Sequence, residues 1–208
     1  MHKNRESVGV VLDVDETLVL SVKRHYEVLT TLGKSLGWKN LPTFEQVLQM
    51  GGTHHAYGHY PRYAEINAEI CAAEWFNRGL EVIPAAREAM DAIGSQVFFY
   101  LTTRPASMTR LTYEELLQAG FPDRPVIARP SSVPLKKTAE WKFSVLADQA
   151  QKLRNPLELI DDSVTTHLEI VRRRDRSVGT QLYAGAITPP HPTAVNWQEI
   201  VQRLGFLR

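Results

Sequence analysis

The hydrophobic pattern of the 208-residue chain alternates between short unbroken apolar runs and stretches with apolar residues at helical spacing. The first run, Val8-Gly9-Val10-Val11-Leu12, stops abruptly in Asp13-Val14-Asp15-Glu16-Thr17. Aliphatic, largely β-branched residues that end in acids predict a buried strand delivering carboxylates to its carboxyl edge. From about Ser21 to Leu80 the chain is polar, aromatic and helix-patterned, with no strong strand candidate. The alternation then begins. Pro84 to Ile93 reads as a helix with proline in its first turn, and Val97 to Leu101 as a buried strand ending in Thr102-Thr103-Arg104. Ser107 to Ala119 reads as a helix capped by Ser107 and stopped by Gly120, followed by a short strand, Val126-Ile127-Ala128. Thr138 to Arg154 is helix-patterned, with Trp141, Val145, Leu146, Ala150 and Leu153 on the apolar side, and Leu157 to Ile160 is a strand ending in Asp161-Asp162. A helix over Val164 to Arg173, a strand near Thr180 to Tyr183 and a helix from about Val195 to Leu204 complete the order.

Strands alternating with helices predict an α/β fold: a mainly parallel, Rossmann-like sheet in a three-layer α/β/α sandwich. Residues 1–20 and 81–208 would form this core, and 21–80 a helical insertion after the first strand. Ligands of such sheets bind beyond the carboxyl ends of the strands, where neighbouring loops meet. Three strand ends here carry chemistry: Asp13 to Thr17, Thr102 to Arg104, and Asp161-Asp162.

Composition narrows the classes. With 43% hydrophobic and 23% charged residues, neither disorder nor a membrane protein is indicated. No apolar run approaches the ~20 residues that cross a bilayer. A net charge of +1 argues against a polyanionic partner such as long nucleic acid. The basic run Arg172-Arg173-Arg174-Asp175-Arg176 reads as the solvated end of a helix, where cations suit the macrodipole. The lone Cys71 forms no internal disulfide, in keeping with the cytoplasm, and Met1 to Ser7 lacks the apolar core of a signal peptide.

In an extended strand Asp13 and Asp15 share a face, whereas a turn from Val14 would bring one side chain and one backbone carbonyl to a single point. Two carboxylates ~4 Å apart repel by about 4 kcal/mol at an effective dielectric of 20. A cation relieves that repulsion. Elsewhere, Gly51-Gly52-Thr53-His54-His55-Ala56-Tyr57-Gly58-His59 offers three histidines among glycines. The glycines oppose a long helix and no carboxylate or cysteine is interspersed, so His54 and His55 read as a substrate-facing loop or a plain surface loop rather than a metal site. Trp38, Trp75 and Tyr63 read as core of the insertion.

A strand followed by D-x-D-x-T, a later strand followed by Thr, then a helical Lys ahead of a strand ending in an acidic pair: this ordered set resembles the haloacid dehalogenase (HAD) superfamily. The resemblance implies a HAD-like core with a C1-type helical cap at residues 21–80. Asp13 matches the family nucleophile, whose carboxylate attacks phosphorus to give an aspartyl-phosphate. Asp15 matches the acid that protonates the leaving oxygen and then activates water. Family members that dehalogenate lack an acid there, so Asp15 implies phosphoryl transfer. Thr17 would steady the loop. Thr102 matches the phosphate-binding hydroxyl, with Thr103 and Arg104 beside it. Lys136, Lys137 and Lys142 all precede the acidic pair; Lys142 is favoured because a cation early in a helix violates the local dipole, as functional residues do. Lys137 takes the role if the helix starts earlier. Asp161 and Asp162 match the Mg²⁺ pair, with Asp13 and the backbone carbonyl of Asp15 as the other ligands. The implied activity is a Mg²⁺-dependent phosphatase acting on a small phosphorylated metabolite; a phosphotransferase or mutase, or a non-catalytic ligand-binding relative, are the alternatives.

Overall fold

A computed structural model describes residues 8–184 and 193–205. In chain order its elements are β1 (Gly9–Leu12), β2 (Val19–Leu20), α1 (Val22–Ser35), α2 (Phe44–Gln49), α3 (Thr53–Tyr57), α4 (Tyr63–Ala72), α5 (Glu74–Asn77) and β3 (Glu81–Val82). There follow α6 (Pro84–Ile93), β4 (Val97–Pro105), α7 (Thr109–Gln118), β5 (Val126–Arg129), α8 (Thr138–Leu153), β6 (Leu157–Asp161), α9 (Val164–Arg173), β7 (Val178–Leu182) and α10 (Trp197–Arg203). The five main strands pair in the order β5-β4-β1-β6-β7, every pairing parallel. This is the α/β sandwich that the alternation of runs predicts. β1 therefore lies in the middle, flanked by the two other strands whose ends carry candidate chemistry.

Period-two alternation along the central strands divides the core in two. Val10 and Leu12 of β1 face one apolar cluster with Ala86, Met90 and Ile93 of α6 and Trp197, Ile200 and Val201 of α10. Val11 faces the other, with Leu157 and Leu159 of β6, Leu146 and Ala150 of α8, and Ile170 of α9. A strand buried on both faces has no polar side to show, so it reads as an unbroken apolar run.

Several helix ends follow local rules. Proline occupies the first turn of α6, Ser163 caps α9 by accepting the Thr166 N–H (3.3 Å), and Asn196 and Glu199 form a reciprocal capping box on α10. The expected Ser107 cap is not formed. Residues Ala106–Met108 make a 3₁₀ turn, and α7 starts at Thr109, whose hydroxyl donates back to the Ala106 carbonyl (2.8 Å). A hydroxyl that bonds backward over three residues closes the tighter turn instead of capping the next helix. Gly120, at φ +79°, stops α7 as expected.

Residues 22–77 hold five helices around a third cluster that includes Leu29, Val47, Tyr57, Tyr63, Ile66 and Phe76. Tyr63 is buried and Trp38 packs against this cluster, but Trp75 is 60% exposed, contrary to its expected core position. In the four-residue helix α5 it is Phe76 that turns inward. Leu153 is likewise 46% exposed, because the buried stripe of α8 runs Lys142, Leu146, Ala150 and ends there. A short antiparallel pair, β2 with β3, closes the base of this helical segment. No helix among the described residues is long and apolar enough to cross a membrane.

Leu159 is fully buried in the sheet centre while Leu168 on α9 is 53% exposed. Leu159→Ala is expected to lower unfolding free energy by about 2–5 kcal/mol and Leu168→Ala by less than about 0.5 kcal/mol. Urea titration followed by circular dichroism measures both, and equal losses would contradict the two-face packing.

Candidate active site

Asp13 is the residue after Leu12 on β1 and continues the period-two series from Val11 toward the α8 face; Asp161 continues Leu157 and Leu159 of β6 toward the same face. The two strands are in register at Leu12 and Ile160, and the Asp13 N–H donates to the Ile160 carbonyl (2.9 Å), which sets the two carboxylates side by side. Lys142 lies one turn before Leu146 on the buried stripe of α8, so its ammonium rises from the core packing to meet them. It is 1% exposed and donates to Asp13 Oδ1 and Asp161 Oδ2, each at 2.7 Å. Asp161 Oδ1 accepts the Ser163 N–H (2.8 Å), so both of its oxygens are engaged within the protein. Lys137, by contrast, is exposed and reaches only Glu140 at 3.6 Å. The structure thus brings Lys142 to the site and leaves Lys137 outside it.

Asp13, Asp161 and Asp162 each offer a carboxylate oxygen within 4.8 Å of the others. At that spacing each like-charged pair repels by roughly 3–4 kcal/mol at an effective dielectric of 20. Three carboxylates face one ammonium, which leaves two negative charges in excess when all are ionised. Burial pushes the Asp13 carboxyl up to about 7; Lys142 opposes the rise, and Asp161 and Asp15 add to it. Burial also lifts Asp162 well above the usual carboxylate range, with Asp161, Asp13 and Glu16 reinforcing it. Lys142 is raised despite burial, because two carboxylates hold its proton. The donor set is all hard oxygen and short of two positive charges. That combination fits Mg²⁺.

The turn after β1 begins at Val14, whose carbonyl accepts the N–H of Leu18 (2.9 Å). Glu16 sits in the left-handed region at φ +60°, a costly conformation for a side-chain-bearing residue. Its Oε1 accepts from the backbone of Ser21 (2.6 Å) and Val22 (2.7 Å) and from the Ser21 hydroxyl (2.9 Å). Glu16 thereby caps α1 from five residues upstream and ties the helical segment to the acidic turn. Thr17 is fully buried, but its hydroxyl has no hydrogen-bond partner among the described residues, so it does not steady the loop by a hydrogen bond as expected.

Across the turn, Arg104 is 6% exposed and grips Asp15 with two bonds, Nε to Oδ2 (2.9 Å) and Nη2 to Oδ1 (2.7 Å); its Nη1 donates to the Thr112 hydroxyl (3.3 Å) on α7. A bidentate fork fixes the plane of a carboxylate as well as its position. Thr102 is fully buried in β4, which runs on past it to Pro105, and its oxygen accepts the Arg104 N–H (3.2 Å). Thr103 lines the cavity beside Asp15 and lends its carbonyl to Arg129 Nε (3.1 Å).

His54 and His55 do not join this constellation. They stand exposed on α3, edge-on to each other, with the His54 ring also tilted against Tyr63. The two glycines before them start a single short helix whose inward positions go to Thr53, Ala56 and Tyr57. The histidine that lines the cavity is His25 of α1, with Nδ1 3.1 Å from the Thr53 hydroxyl. Nothing local to His25 in the sequence signals this. Arg129 is not singled out by the sequence reading either, although its place at the end of β5 is a signal that could have found it.

No family model matches the chain, and no curated protein does. Solved structures do. A protein from Lactobacillus delbrueckii provisionally named a phosphoglycolate phosphatase superposes with a TM-score of 0.64 at 14% identity, over 96% of this chain and 99% of its own. A predicted phosphatase from Clostridium acetobutylicum also gives 0.64, at 11% identity over 96% and 99%. A subfamily IA hydrolase of the HAD superfamily from Geobacter sulfurreducens gives 0.58, at 14% identity over 99% and 100%. Identities this low establish architecture rather than activity, and the architecture is unambiguous: this chain has the haloacid dehalogenase fold.

Proposed function

We propose that the protein is a Mg²⁺-dependent phosphohydrolase that passes the phosphoryl group of a small phosphomonoester to Asp13 and then to water. The observation that carries this reading is the cluster of Asp13, Asp161 and Asp162, the first two bonded to Lys142, together with Asp15 held by Arg104.

In this reading Asp13 attacks phosphorus through the oxygen that Lys142 does not hold, forming an aspartyl-phosphate as the bond to the leaving oxygen breaks. Asp15 gives that oxygen a proton and later takes one from the water that attacks the intermediate. Both Asp15 oxygens are held by Arg104 in this structure, so one of the two bonds must open for Asp15 to take up and deliver the proton, while the other keeps the carboxyl group aimed. The Thr102 hydroxyl and nearby N–H groups receive the non-bridging oxygens, where Lys142 offsets charge. Asp13, Asp162 and the Asp15 carbonyl would hold Mg²⁺, while Asp161, occupied by Lys142 and the Ser163 N–H, orients the ammonium. Bound there, Mg²⁺ would supply the positive charge the site lacks to the phosphoryl oxygens. Helices α1 to α5 act as the cap that excludes water.

Asp13→Asn is expected to abolish Mg²⁺-dependent release of phosphate from phenyl phosphate, by 10³-fold or more on the order of a lost nucleophile. Retained turnover in a clean preparation would remove the nucleophile assignment.

The raised carboxyl groups also link stability to pH. Asp13 titrates near 3.8 when unfolded and near 7 when folded. Between those values the folded state holds more protons, so metal-free stability falls as pH rises, and the loss is complete above about 7. Mg²⁺ must displace those protons. The rise in Tm on adding Mg²⁺ should therefore be larger at about pH 8 than at about pH 5.5, and Asp162→Asn should raise the metal-free Tm at the higher pH while removing the Mg²⁺ response. An equal Mg²⁺ response at both pH values would contradict the site.

A further inference from the structure

A cavity of about 400 Å³ opens between the helical segment and the carboxyl ends of β4 and β5. Its core side presents Asp15, Arg104 and Arg129, and its helical side His25, Cys71 and Phe76. The two arginines differ. Arg104 is matched by the Asp15 carboxylate, whereas Arg129 donates Nε to the Thr103 carbonyl and Nη1 to the Val133 carbonyl. Carbonyl dipoles orient a guanidinium without neutralising it, and among the described residues no carboxylate pairs with Arg129.

No neighbour supplies the missing charge. Cys71 lies within the field of both arginines, but burial pushes its thiol up to about 11, so it carries no anion at neutral pH. His25 is lowered by burial to about 4 and adds no positive charge. One cation is therefore left facing the cavity, with the hydrogens of Nη2 uncommitted. The remaining wall, including Phe76, Ala68 and Ala72, suits a compact carbon skeleton. The uncommitted Nη2 hydrogens and the one unmatched positive charge suit a single carboxylate, and a second phosphate would leave one negative charge without a partner.

We propose that Arg129 holds a carboxylate of the substrate, so that the cavity accepts phosphomonoesters of hydroxy acids. The inference rests on the phosphohydrolase reading for the site of the phosphoryl group. Arg129 is in this sense a specificity-determining residue and takes no part in the chemistry at phosphorus.

Binding is measurable without turnover. Isothermal titration calorimetry with Mg²⁺ present would compare alkyl phosphonates that end in a carboxylate, over a short series of chain lengths, with their primary amides. The acid of best-fitting length is expected to bind the native protein roughly tenfold or more tighter than its amide, the scale of a charge-assisted hydrogen bond. Arg129→Gln should erase that preference and leave amide affinity unchanged, and Arg129→Lys should retain part of it. Equal binding of acid and amide to the native protein would overturn the proposal. So would an equal weakening of both by Arg129→Gln, which puts Arg129 on the phosphoryl group, or tighter, Arg129-dependent binding of the matched bisphosphonate. Turnover of phenyl phosphate by the same preparation tests the hydrolase reading separately: its absence, with the acid preference intact, contradicts that reading alone.

Discussion

A single buried ammonium organises the carboxyl-terminal edge of the sheet. Lys142 stands between the carboxylates of two adjacent parallel strands and touches both at 2.7 Å. Removing three ions from water is costly, and a buried ion pair repays that cost only with good geometry and further hydrogen bonds. Here the geometry comes from ordinary core packing: Lys142 extends the stripe that Leu146 and Ala150 bury, and Asp13 and Asp161 extend the apolar series of β1 and β6. The hydrophobic effect places the charges, and the charges then leave a site short of two positive charges. A divalent cation would supply them.

The second pair, Arg104 with Asp15, separates the two motif aspartates physically. Asp13 is drawn toward α8, and Asp15 is turned away toward β4 and α7. Two carboxylates only two residues apart thereby enter different surroundings, which is the condition for giving them different roles. Glu16 joins the same turn to the start of α1, so the segment that covers the cavity is anchored at the acidic turn.

The parts of this arrangement legible in the sequence are those governed by local patterns. The apolar runs of β1, β4 and β6 gave the strands, their polar endings gave Asp13, Thr102 and Asp161, and a cation set against the helix dipole early in α8 singled out Lys142. The two-residue strands β2 and β3 are too short to leave a periodic signal. His54 and His55 looked functional because of composition, yet helix phase decides which side chains face inward, and in α3 it chose their neighbours. His25 reaches the cavity only through the packing of α1 against α3, a tertiary fact. The pairing of Arg104 with Asp15 spans 89 positions and was likewise invisible to local reading. Trp75 and Leu153 show the opposite limit, apolar residues left outward at the ends of their helices.

The central claim is that the Asp13 carboxylate becomes phosphorylated. The most direct measurement is rapid acid quench of the Mg²⁺-loaded protein during turnover of phenyl phosphate, followed by borohydride reduction and peptide mass spectrometry. Reduction of an aspartyl-phosphate converts the aspartate to homoserine. The account predicts homoserine at position 13, dependent on both substrate and Mg²⁺. Homoserine at position 15 or 162, or turnover with Asp13 unmodified at every quench time, would contradict it.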